Sequence, residues 1–597
     1  MKRSIALGPH GCDCRHHDPR PSWAGGACAP DGARSGGGYL RHRAHRRVGL
    51  AVLCRATLVL LLSIGGIAPT DAAAQDSLRS TVQDVIATGR IAWARWPDFS
   101  RYVDDVRRLY GAAADTLVWF DGPLVAHAGT AAIAVLLAAS EHGLDPLDYD
   151  AETLERVHSV RAPLSAKDRA RFDLLLSIDL IRFLDDLQSG RLHYGPLDHR
   201  GSTELGLDLA GAIRDAIDGD SVPKLVATTA PQLAQYRNLQ RLLRRYRQLV
   251  TDSSLEPVPQ SPPLQAGDHY PGVTALRRRL AALGDLGPGG ASNLSDAYTG
   301  TDEGAVRWFQ SRHGLAATGV LDSATVAEIN TPFERRVRQI ELALERLRWL
   351  PPIGRQRFVV VNIPAFQLFA FDSVRGTGAP AISMRVIVGK ALDTRTPVLF
   401  EQMRYVEFRP YWNVPLSIAL KEIVPLLQRD PSYLSRKDME LVGPRDSIIG
   451  NAVTSEILER LSQGELRVRQ RPGAQNSLGL TKFVFPNSAA VYLHGTPRTD
   501  LFAHSRRDFS HGCIRLDDPT ALALWVLRDQ PRWNRKRITA AQEGTGTTRA
   551  WLTRSMPVIV FYTTAVAAPD GGAWFYADIY GHDRELDEAL RAGPISP

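Results

Sequence analysis

The sequence predicts a multidomain α+β protein, and three observations predict it. Residues 75–255 keep apolar side chains at helical spacing with few strand formers. A compact segment within 272–330 alternates short helical patterns with Gly- and Asp-rich turns. After Pro351-Pro352 the composition switches to β-branched and aromatic runs separated by Pro, Gly and Asp. A chain of 597 residues is long enough for two to four domains, each with its own core. Its apolar share of 44% and charged share of 23% are those of ordinary globular protein, so composition alone assigns no function.

The N-terminus reads as a segment to be set aside from the fold. A basic run, Arg41–Arg47, precedes the apolar stretch Ala56–Ala68, and Ala72-Ala73-Ala74 offers small residues for cleavage. These are the three parts of a secretory signal, here with an extended leader, so residues 1–74 are assigned to it. The apolar stretch is short for a bilayer span, which favours removal over anchoring. Membrane contact is therefore expected only through the leader before cleavage. Of the net charge of +8, this leader holds +6, from ten basic and four acidic residues. A nucleic-acid partner loses its main support, and none is expected. Cys12, Cys14, Cys28 and Cys54 also lie in the leader, leaving Cys513 as the one cysteine of the exported chain. In an oxidising compartment that thiol has no partner within its own chain, which marks it for reactivity rather than cross-linking.

Taken in order, residues 75–258 form a helical domain. Leu174, Leu175, Ile178, Ile181, Phe183, Leu184 and Leu187 build one apolar face, and Leu239, Leu242, Leu243 and Leu249 another. Ser221-Val-Pro-Lys224 has the Ser-x-x-Lys form of serine acyltransferases, but it contains a Pro and has no Lys-Thr-Gly companion, so it is read as chance. The Pro-rich stretch Glu256–Pro263 is a linker. Within 259–332, Leu276, Leu280 and Leu283 share one helical face and Val306 and Phe309 another, as in a three-helix unit. A connecting helix follows, over 333–355. Strands are then expected at Phe358–Ile363, Gln367–Phe371, Ile382–Val388, Arg404–Phe408, Phe483–Phe485 and Ala490–His494. A partly helical, polar insertion at about 416–480 interrupts them as a lid. Asp518-Pro519 gives an N-cap followed by Pro at the first helical position. Val558–Thr563 and Trp574–Ile579, joined around Asp570-Gly571-Gly572, are expected to pair as a last hairpin. The domain is drawn over 356–585, with 586–597 as a tail.

The chemistry concentrates in Val491–Leu516. A thiol attacks carbonyls as the thiolate, so Cys513 needs a group to take its proton. His494 ends an apolar strand and is the expected general base, with the carbonyl of Gly495 as the economical group to orient its ring. His511 is the rival base, but two residues before the nucleophile on a tight turn it is badly aimed, and it is read as structural or substrate-facing. The N–H groups of Gly512 and Cys513 are the expected oxyanion donors, with Tyr492 as a side-chain helper. Ser510 is read first as a turn cap. Arg515 offers a fork for a substrate carboxylate, the alternative being an intramolecular salt bridge. Trp412 and the lid are expected to wall the site and exclude water. Neither HExxH nor a multi-Cys zinc pattern occurs, and no metal or organic cofactor is expected.

His494-Gly-Thr and Ser510-His-Gly-Cys513-x-Arg515 resemble the signature of the L,D-transpeptidases with a YkuD-like catalytic domain. His142-Gly-Leu-Asp-Pro-Leu-Asp-Tyr149, Leu187–Arg191, Val386–Lys390, Tyr411–Pro415 and Asp578–Gly581 are similar to the large YcbB-type members of that family, with Arg409-Pro410 standing where Asn-Pro is usual. Gly272–Asn330 is similar to the common peptidoglycan-binding module. The resemblance implies a helical scaffold domain, a small three-helix peptidoglycan-binding-like domain and a mainly-β L,D-transpeptidase catalytic domain with a partly helical lid insertion. It implies peptidoglycan as partner: a tetrapeptide-stem donor ending in diaminopimelate–D-Ala, and a stem acceptor whose diaminopimelate amine forms a 3→3 cross-link in the periplasm. The residues themselves say acyl transfer through a thioester; with water as acceptor, the same site would be an L,D-carboxypeptidase or cysteine peptidase.

Overall fold

The computed structural model describes residues 71–111, 116–160, 163–192, 208–287, 289–373, 379–392 and 394–593. The leader's basic run and apolar stretch lie outside the described residues. Among the described residues no helix is long and apolar enough to cross a membrane.

The N-terminal region is helical, as its periodicity requires. Its longest helix, α1 (Ala166–Ser189), is capped by the Ser165 hydroxyl on the Asp168 amide and is buried on nearly every side from Phe172 to Leu187. Two of its buried carboxylates have partners, although the second oxygen of Asp179 has none among the described residues. Asp173 accepts from the Trp119 amide at 2.8 Å and from the Tyr110 hydroxyl, and Asp179 pairs with Arg182 at 2.8 Å. The region's extended pairings include an isolated bridge between Arg90 and Asp98 and a two-residue hairpin, Phe120–Asp121 with Leu124–Val125. After it, α2 (Ala234–Thr251) leads into a three-helix unit: α3 (Val273–Leu283), α4 (Gly300–Arg312) and α5 (Ser323–Ile329). Helix α4 begins in a capping box between Thr299 and Asp302. Arg277 forks onto Asp302 at 2.7 and 2.8 Å and onto the carbonyls of Asn293 and Ala297, pinning the polar loop between the first two helices.

Helix α6 (Phe333–Arg348) joins these regions to the strand-rich one. Its Arg348–Glu345 pair, at 2.7 Å, is almost wholly buried, and Arg346 reaches Asp583 at 2.5 Å. Removing Glu345 alone would strand a buried guanidinium, a loss of about 3–5 kcal/mol.

The strand-rich region holds β1 (Phe358–Asn362), β2 (Gln367–Phe371), β3 (Ile382–Gly389), β4 (Leu399–Phe408), β5 (Trp412–Asn413), β6 (Met439–Val442), β7 (Ile448–Gly450), β8 (Arg467–Gln470), β9 (Thr481–Val484), β10 (Leu493–His494), β11 (Asp508–Ser510), β12 (Ile514–Leu516) and β13 (Thr548–Phe561). Nine of them form one sheet in the order β11-β3-β12-β10-β9-β4-β13-β1-β2, and a further pairing of β2 with β3 joins its ends. Val386, Val406, Phe408, Phe483, Leu493, Ile514 and Leu516 sink into a single core with Leu522 and Trp525 of α7 (Pro519–Val526). The expected Asp518 cap of α7 is present, accepting from the Ala521 amide at 2.8 Å.

Three expectations are corrected. The last hairpin is made by Ala565–Ala567 and Ala573–Phe575, because Val558–Phe561 is committed to the middle of the sheet, parallel to β1 and antiparallel to β4. Residues 586–591 are no tail: α8 (His582–Arg591) buries Leu586 and Leu590 in the core of the large sheet. The insertion is more than partly helical. Strands β5, β8, β6 and β7 make a four-stranded sheet of its own over a separate core of Leu427, Leu434, Leu441, Leu461 and Val468.

Candidate active site

Strand alternation places the site. On β9, Phe483 is buried and Lys482 points to the opposite face; on β10, Leu493 is buried and His494 opposes it; on β12, Ile514 and Leu516 are buried and Arg515 opposes them. Register then lines Lys482, His494 and Arg515 across three neighbouring strands. One step back, the Ile514 amide donates to the Tyr492 carbonyl at 3.1 Å, which sets Cys513 beside Tyr492. Tyr492, His494, Cys513, Arg515 and Lys482 therefore share one face. The rings of Tyr492 and His494 are 5.8 Å apart, Lys482 Nζ lies 3.8 Å from the Tyr492 ring centre, and the Cys513 thiol faces the Ala490 carbonyl at 3.9 Å.

His494 is only 4% exposed, and its Nδ1 lies 2.5 Å from the Gly495 carbonyl. A carbonyl only accepts, so Nδ1 carries the proton and Nε2 keeps its lone pair. Burial pushes this histidine down to about 3, and the charges of Arg515 and Lys482 oppose imidazolium further. Burial also pushes the Cys513 thiol up, while hydrogen bonds from Tyr492 and the positive charges of Lys482 and Arg515 pull partly the other way. The resting pair is therefore a neutral thiol with a neutral imidazole. Burial penalises the thiolate–imidazolium ion pair relative to the neutral one.

The turn before the nucleophile is clamped. Ser510 Oγ donates to the Cys513 carbonyl at 2.6 Å and accepts from the Gly512 amide at 3.2 Å. Thr396 Oγ1 donates to the Gly512 carbonyl at 2.8 Å, and Thr394 Oγ1 to that of Ser510 at 3.0 Å. Gly512 has φ +110°, a conformation L side chains rarely adopt, so the turn requires glycine. Without substrate its amide is taken by Ser510, whose hydroxyl bridges the two sides of the turn.

His511 faces away from the sulfur: its Nε2 meets Glu422 Oε1 of the lid at 2.5 Å. Arg515 is half-buried and, among the described residues, pairs with no carboxylate, so the salt-bridge alternative finds no partner. Trp412 packs against the lid's own core rather than standing clear as a wall. Lys482 and Glu422 were not foreseen. A lysine alternating with buried Thr481 and Phe483 was the available signal for the first; for the second there was none.

Residues 356–560 match the family model of the L,D-transpeptidase catalytic domain, residues 104–243 that of a scaffold domain, and residues 269–329 one described as "Putative peptidoglycan binding domain". A protein of Haemophilus influenzae named "Putative L,D-transpeptidase" is 30% identical over 263 residues, 44% of this chain and 51% of that protein. The chain thus spans about half the length of the curated relative it matches.

Proposed function

Since the chain carries an L,D-transpeptidase catalytic domain, we propose that it cross-links peptidoglycan in the periplasm, forming 3→3 diaminopimelate bridges through a Cys513 thioester. The observation that carries this reading is the register that sets Cys513 and His494 on adjacent strands and one face, with two cations beside them.

The donor's diaminopimelate–D-Ala carbonyl meets the Cys513 thiol. Nε2 of His494 takes the thiol proton as the C–S bond forms, and the Gly495 carbonyl steadies the ring as it becomes cationic. Negative charge passes to the carbonyl oxygen, where the Cys513 amide and the Tyr492 hydroxyl receive it. As the tetrahedral centre collapses, His494 returns its proton to the leaving D-Ala amine. The thioester then meets the diaminopimelate amine of a second stem; His494 takes a proton from that amine, the C–N bond forms, and the thiol is regenerated. Arg515 suits a substrate carboxylate, being a half-buried guanidinium with no acidic partner among the described residues. Water as acceptor would give a tripeptide instead, so the lid's exclusion of water decides between transpeptidase and carboxypeptidase.

Turnover of a tetrapeptide stem by the chain from residue 75 tests this. The expected products are free D-Ala and a cross-linked dimer, both lost in Cys513→Ala. Tripeptide without dimer in the presence of acceptor would establish the carboxypeptidase, and neither product would overturn the reading. A carbapenem is also expected to add its full mass to Cys513; active protein that shows no adduct contradicts an open thiol.

A further inference from the structure

The face that carries Cys513 does not end at Lys482. Following the same row away from the nucleophile, Tyr492 is followed by Val484 on β9, Tyr405 on β4 and Trp551 on β13, the last three paired in register across neighbouring strands. Tyr405 and Trp551 stand as a tilted pair, ring centres 4.6 Å apart, and Trp551 is 57% exposed. Neither lies in the apolar core on the other face, which takes Val406 and Ala550 instead. The Trp551 backbone is held by Gln530, whose side-chain amide donates to its carbonyl at 2.9 Å. The strand then bulges between Trp551 and Met556, which leaves the indole proud of the sheet. On the flank, Arg549 lies over the Tyr405 ring at 5.4 Å, held by buried Glu407 at 2.6 Å, and presents its exposed guanidinium beside the aromatic surface.

An exposed aromatic pair edged by a guanidinium matches one class of ligand. A pyranose offers an apolar C–H face to the rings, and its hydroxyl and N-acetyl groups suit that guanidinium. Distance selects which sugar. Strands are spaced about 4.8 Å apart, so Tyr405 and Trp551 lie roughly 14 and 19 Å from Cys513 along the face. From the reacting carbonyl, a stem runs back through diaminopimelate, glutamate and alanine, three residues that reach about 11 Å when extended. The γ-linkage of the glutamate and the lactyl ether carry the chain onward, so a stem laid along this row is long enough to bring the muramic acid ring over the aromatic pair.

We infer that Tyr405 and Trp551 form a saccharide subsite that stacks on the sugar heading the donor stem held at Cys513. The inference rests on the function proposed above and extends it: the enzyme reads its donor as a glycopeptide, the sugar helping to place the carbonyl.

The test compares binding of N-acetylmuramoyl-tetrapeptide and free tetrapeptide by calorimetry, using Cys513→Ala protein so that neither is consumed. The sugar-bearing ligand is expected to bind about tenfold more tightly, the range of an aromatic anchor. That preference should fall toward one on adding Trp551→Ala and largely persist with Trp551→Phe, which also controls for folding. Equal affinities in the protein with Trp551 intact, or a preference that survives Trp551→Ala with Tyr405→Ala, overturns the subsite. D-Ala release by the Cys513 protein separates the two ideas. A sugar preference without release leaves the subsite standing and sinks the chemistry; release without a preference does the reverse.

Discussion

The catalytic sheet and the lid are both built from short strands, but they hold their residues in different ways. In the sheet, β9, β10 and β12 each have a hydrogen-bonded neighbour on both sides, and their alternate side chains enter one core shared with β4 and α7. His494 and the Cys513 turn are thus fixed several times over. The lid has its own sheet, its own smaller core and a π-helical turn at Ala419–Ile423, and it leaves Leu416, Leu420 and Leu426 exposed. It meets the catalytic turn through Glu422 and His511. The difference is one of support: the Cys513 turn sits where neighbouring strands on both sides fix the register, whereas the insertion rests on a smaller core of its own.

The comparison can be broken most severely at the sheet. His494→Ala should lower the acylation rate about 10²–10⁴-fold, the usual worth of a positioned base, measured by the burst of D-Ala release. A loss under tenfold would move the base elsewhere.

Acid should separate the two units next. His494 and His142 are held neutral, at about 3 and about 4, and His313 is also well below the ordinary range, all by burial. Above about pH 6.5 these side chains are neutral folded or unfolded and contribute no pH dependence. As pH falls from there toward 4, the unfolded chain takes up protons that the folded one refuses, and stability is lost. Residues 412–480 contain no histidine. Hydrogen exchange at pH 4.5 against pH 7.5 should therefore show protection falling in the sheet and the helical region before the lid's β6 and β8.

The smallest effect belongs to the lid contact. Glu422→Gln weakens a partly exposed contact with His511 worth about 0.2–1 kcal/mol, so KM for donor should shift about two- to threefold with little change in kcat. A large fall in kcat would mean that the lid takes part in the chemistry.

Much of this was legible in the sequence, for identifiable reasons. Cys513 stood out because residues 75–597 hold no other cysteine, and the strand ending at His494 because the apolar run Val491-Tyr-Leu493 leads into it. The Gly495 carbonyl followed from the lack of a nearby acid, and the structure places it on the ring. The lid's sheet escaped notice because strands of two to four residues, such as Trp412–Asn413 and Ile448–Gly450, give too short a pattern to read. The final hairpin was misplaced because Val558–Phe561 is apolar in any pairing, and only the partners β1 and β4 decide its use. The clamp on the Gly512 carbonyl and the surroundings of Cys513 depend on contacts distant in sequence, Thr396 for the first and Lys482 for the second, which no local spacing encodes.

The central claim is that the nucleophile rests as a neutral thiol beside a neutral imidazole and is activated only with substrate. Alkylation of Cys513 by iodoacetamide across pH reads this directly, because the chain from residue 75 has no other cysteine. The account predicts a rate that climbs about tenfold per pH unit through neutrality and levels only beyond the ordinary thiol range of about 8.5. A fast plateau already present at about pH 5 would reveal a standing thiolate–imidazolium pair and contradict it.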